Sequence, residues 1–78
     1  MLANLPSVKV LQMNKTSYEE QERFYVMVGD GHTIIRFKVE KEVFESLQPY
    51  DDIDATIELF TFKNNLYASI KDAVILNR

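Results

Sequence analysis

Few residues in this 78-residue chain could do covalent chemistry. His32 is the only histidine, and no base, nucleophile or second histidine lies at a spacing that builds a triad or a zinc site around it. Cysteine is absent, which excludes thiolate ligands, thiol nucleophiles and disulfides. Asp51, Asp52 and Asp54 carry oxygens of the kind that bind Mg²⁺ or Ca²⁺. Their spacing is not that of an EF-hand and no central glycine accompanies them, so a solvated turn is expected and no metal or other cofactor. No glycine loop cradles phosphate and no nucleophile motif is present. What remains is non-covalent chemistry. Aromatic faces stack and cations meet anions, and the residues for this are Tyr25, Arg36, Lys38, Phe60, Phe62, Tyr67 and Lys71. A binding protein is expected rather than an enzyme, with no small-molecule substrate.

Whether these side chains share a surface depends on the elements that carry them. Val8 and Val10 alternate with Lys9 and Leu11, which gives a first strand over about Ser7 to Asn14. Lys15 to Glu22 is polar and reads as a mobile loop. Phe24 to Val28 and Thr33 to Val39 alternate more cleanly, and Gly29-Asp30-Gly31-His32 between them reads as a hairpin turn. The period then changes. Val43, Phe44 and Leu47 lie at helical spacing within Glu40 to Gln48, and Pro49 ends that helix by disfavouring helical backbone before it. Strand signals return over Ile53 to Phe62 and again over Leu66 to about Leu76. Asn64-Asn65 suits the turn between them.

Three strands, a short helix and two strands is the element order of a mainly β, five-stranded OB-like barrel with its helix between strands 3 and 4. An SH3-like barrel or a small α+β sheet gives a similar string. One domain over residues 1–78 suffices for this length, and a core this thin makes a homodimer a reasonable expectation. No apolar run reaches membrane-spanning length and the N-terminus lacks a basic start, so a cytoplasmic setting is expected. In the barrel, Val26, Val28, Ile35, Phe37, Ile57, Leu59, Ala68 and Ile70 would point inward. The outward set is then Tyr25, Met27, Ile34, Arg36, Lys38, Glu58, Phe60, Phe62, Tyr67, Ser69 and Lys71, which is aromatic and basic with one acid. Single-stranded nucleic acid takes such a mixture, because bases stack on aromatic rings and cations track phosphates. His32 at a hairpin tip is a lesser candidate, and Lys9, Lys15 and Arg23 would extend the basic track. The net charge of −3 runs against this reading unless positive charge is concentrated on one face. The same strip serves equally as a dimer or partner interface, and a bulge in any strand would swap its faces.

Several segments resemble the small phage-type single-stranded DNA-binding proteins of the filamentous-phage gene V type. Tyr25-Val26 followed by Gly29 resembles the family strand that bears a DNA-contacting tyrosine, and His32 falls where the family has another aromatic. Ile34 to Val39 resembles the next strand, and Pro49-Tyr50 and Thr61-Phe62-Lys63 resemble segments flanking the fourth. The resemblance covers about Phe24 to Leu76. It implies a cytoplasmic homodimer that coats single-stranded DNA, or RNA, without catalysis, during phage or plasmid DNA replication. The last hairpin is shorter than the family's and lacks its tip aromatic, and the acidic balance also departs from the family.

Overall fold

A computed structural model describes residues 1–77. Its elements are β1 (Leu2–Tyr18), β2 (Gln21–Gly29), β3 (Ile34–Val39), α1 (Lys41–Ser46), β4 (Asp52–Phe62) and β5 (Asn65–Ile75). The strands close into a barrel in the order β1-β2-β3-β5-β4. β1 closes it by pairing with β4 through its first half and with β2 through its second. β3 and β5 pair in parallel, and the other pairs are antiparallel. This is the five-stranded OB-type barrel with one short helix between the third and fourth strands.

The inward residues build one core. Val10, Val26, Ile53, Ala55 and Ile70 are almost completely buried, with Val8, Val28, Phe37, Val39 and Ile57 around them. α1 covers one end of the barrel. Phe44 packs on Phe24 with ring centroids 4.9 Å apart, and Leu47 just beyond the helix is buried. The segment before β4 is stitched to β1. The Tyr50 N–H donates to the Val10 carbonyl at 2.7 Å, and the Val10 N–H donates to the Asp51 carbonyl at 2.8 Å.

Three expectations are corrected. Residues 15–22 are not a loop. β1 runs on to Tyr18 and pairs with β2 down to Tyr18↔Gln21, leaving a two-residue turn at Glu19-Glu20. Both glutamates have positive φ, as a hairpin turn matching strand twist requires. Polar composition there reflects two solvated faces of a ribbon, which alternation cannot reveal. Secondly, Ile35 is 44% exposed although it is in phase with buried Phe37. It stands at the open end of the barrel, beyond the reach of the core. Leu59 and Ala68 are only partly buried for a similar reason, at the opposite end of their strands. Thirdly, the first strand does not start near Ser7: β1 begins at Leu2, and bulges interrupt its alternation. Register shifts between Leu5 and Val8 and between Val10 and Gln12. Pro6 has no N–H to give a ladder, and Ser7 at φ 53° donates its N–H to Asp54 Oδ1 at 2.9 Å instead.

Candidate functional site

The β-ladders fix which outward residues are neighbours. Tyr25 on β2 faces Lys38 on β3, Lys38 faces Ser69 on β5, and Ser69 faces Glu58 on β4. One row thus crosses four strands. The next outward pair along β4 and β5 is Phe60 opposite Tyr67, and Phe62 follows near the turn. Between these rows lies an open groove of about 460 Å³, lined by Tyr25, Lys38, Phe60, Phe62 and Tyr67, with Ala68 and Ser69 as its floor. Five of the eight residues picked from the sequence therefore share one surface.

The groove presents ring faces to solvent. Phe62 is 60% exposed, Phe60 46% and Tyr67 43%. Phe60 and Tyr67 stack at 5.5 Å with an interplanar angle of 21°. Arg36 joins from the rim, its guanidinium 3.9 Å from the Tyr25 ring centroid. The planar cation backs one face of Tyr25 and leaves N–H donors free for an anion.

Cations divide sharply by location. Lys9 pairs with Asp52, Lys15 with Glu22 and Lys41 with Glu45. Among the described residues, Arg23, Arg36, Lys38 and Lys63 are the side-chain cations outside any salt bridge. Lys38 lines the groove and Arg36 lies over the Tyr25 ring. Arg23 lies two residues before Tyr25 on the same outward side of β2. Lys63, in the β4–β5 turn, sits 5.4 Å from the Phe62 ring. Net charge concealed this arrangement. Composition counts acids and bases, whereas partner choice decides which cations remain available to a ligand.

Two picked residues fall elsewhere. Lys71 is engaged by two carboxylates, Glu58 at 3.4 Å and Glu40 at 3.5 Å. Hydrogen bonding and charge from Glu58, then charge from Glu40, raise its pKa above the usual lysine value. Lys71 does not line the groove. The β4–β5 register shifts beside it, with Thr56 facing Asp72 and Ile57 facing Ile70, which leaves Lys71 as an extra residue in the ladder. His32 is exposed in the β2–β3 turn and does not line the groove. Four register steps separate Gly29↔Ile34 from Tyr25↔Lys38, about 13 Å along the ribbon. That turn is organised by Asp30, whose Oδ1 accepts from the His32 and Thr33 N–H groups at 2.9 and 3.0 Å. Gly31 supplies its positive φ of 97°.

The acids of residues 51–54 each have a structural partner. Asp51 Oδ2 accepts from the Gln48 N–H at 2.8 Å, Asp52 pairs with Lys9, and Asp54 accepts from Ser7. Sequence reasoning missed Lys63 as a site residue and named Arg23 only as an extension. Alternation from Tyr25 supports Arg23. Lys63 depended on turn geometry.

Comparison with protein-family models, with curated proteins and with solved structures gave no match. Among the described residues, no helix is long and apolar enough to cross a membrane.

Proposed function

We propose that this chain is a non-enzymatic binder of single-stranded nucleic acid, with DNA as the first candidate. One observation carries the reading. Of the side-chain cations outside any salt bridge among the described residues, Lys38 lines the aromatic groove and Arg36 and Lys63 sit against two of its rings, Tyr25 and Phe62. Bases stack on Tyr25, Phe62 and the Phe60–Tyr67 pair, while Arg23, Arg36, Lys38 and Lys63 meet phosphates. The groove also lies on the strand 2–3 face and beside the strand 4–5 turn, the region where OB barrels bind oligonucleotides and oligosaccharides. The resemblance to phage-type proteins supports coating of single strands during replication, by a cytoplasmic homodimer.

Quenching of tyrosine fluorescence by oligo-dT tests the proposal. Binding is expected at low salt, with little base preference. Four phosphate contacts set the slope of log K against log salt near −3 at most, using roughly 0.7 per contact for single strands. No quenching at low salt would overturn the reading. The acidic balance of −3 favours a second one, in which the strip is a protein interface. In that case oligo-dT leaves fluorescence unchanged and Phe60→Ala alters the oligomeric state.

A further inference from the structure

Glu58 is out of place on a face built for an anion. It lies outward on β4, two residues before Phe60 and directly opposite Ser69 in the row that holds Tyr25 and Lys38. Two strand spacings, about 10 Å, separate it from Lys38. That is about one Debye length at 0.1 M salt, so a lone carboxylate there repels phosphate in the groove. Glu40, at the start of α1, adds a second negative charge beside it. The structure answers both with one residue. Lys71 does not line the groove, and its ammonium bridges Glu58 Oε2 at 3.4 Å and Glu40 Oε1 at 3.5 Å.

We infer that Lys71 is the counter-ion of the binding face: it offsets Glu58 and Glu40, leaving one net negative charge in place of two, and so raises affinity for a single strand without touching the strand. This rests on the function proposed above. It makes Lys71 a positioning residue of the electrostatic kind, and it predicts an additivity that a phosphate-contacting lysine lacks. A contact residue freed from its carboxylates becomes more valuable. A counter-ion that acts only through its field is worth the same factor whether or not its carboxylates are charged.

A mutant cycle read by binding of a fluorescent oligo-dT at about 50 mM salt separates the two. Lys71→Ala is expected to weaken binding about two- to sixteenfold, the range set by an uncompensated charge near 10 Å between bulk-water and surface dielectric values. In the Glu40→Gln/Glu58→Gln background the same substitution is expected to cost about the same factor, because the charge terms add. Lys71→Arg keeps both ion pairs and is expected to keep wild-type affinity. Thermal melts verify that each variant is folded, and the three groups are solvent-accessible enough for these changes to be tolerated. A clearly larger loss in the double-glutamine background overturns the inference, as does unchanged binding by Lys71→Ala in the native background. Failure of the wild-type chain to bind oligo-dT is a different result. It removes the proposed function and the inference with it.

Discussion

Arg36 and Tyr25 act as one unit. A guanidinium at 3.9 Å from a ring centroid stacks through its plane, which an ammonium cannot do. Arg36→Lys is therefore expected to weaken oligo-dT binding although charge is kept, and titration of the variant checks it. Phe60 offers a larger effect. Removing one stacking ring costs about 1–3 kcal/mol, or roughly 5- to 100-fold in affinity. Phe60 is nearly half exposed, so Phe60→Ala is expected to leave the melting temperature close to wild type while binding falls. Asp30 belongs to this scale too. Its N–H donors from Thr33, then His32, favour the carboxylate and lower its pKa. A lowered folded pKa stabilises the turn fully above the ordinary carboxylate range, near pH 4, and that support is lost as pH falls through the lowered value. Protection of the His32 and Thr33 amides, taken as observed exchange relative to the intrinsic rate at each pH from 5 down to 2, is expected to be lost only in acid. In Asp30→Ala these amides are expected to be unprotected throughout.

Turns decide more than their length suggests at the scale of elements. The β4–β5 connection is two residues, Lys63 and Asn64, with φ of 50° and 65°. Both must be left-handed for the turn to follow the strand twist. Asparagine tolerates this, whereas lysine pays about 1 kcal/mol. Lys63 nevertheless places a free cation against Phe62 at the end of the groove. Lys63→Gly is expected to raise the melting temperature by about 4–8 °C and to weaken binding. A variant that gains stability with unchanged affinity would remove Lys63 from the site. The β1–β2 arm has the same geometry at Glu19 and Glu20. Glycine at Glu20 is expected to slow amide exchange along residues 15–22, since a relaxed turn holds the ribbon closed longer.

The whole barrel stands on a small core. A chain of 78 residues has a total stability of about 4–12 kcal/mol. Ile53 is fully buried at the centre of that core. Ile53→Ala is expected to cost about 2–5 kcal/mol, a large share of that total, and a circular-dichroism melt will show it as a markedly lowered melting temperature. Charge is also a property of the whole molecule. The net value of −3 conceals a division, with acids spent on Lys9, Lys15, Lys41 and Lys71 and cations left free on one face. Local field, not the sum, governs what approaches that face.

The sequence by itself determined the element order, the mainly β barrel, and the outward phase of Tyr25, Lys38, Phe60, Phe62 and Tyr67. Strict alternation is a local property, and it survives wherever a strand has no bulge between its core residues and its site residues. Tertiary structure decided the rest. Polar alternation could not show that residues 15–18 extend β1, because both faces of that ribbon meet water. Nor could spacing show that Lys71 is taken up by carboxylates, since Glu58 and Glu40 reach it only across the folded barrel. His32 has the right chemistry for a ligand, but it does not line the groove. The free cations were the least legible feature. Which lysine finds a carboxylate depends on residues such as Lys71 and Glu40, far apart in the chain and joined only when the barrel closes.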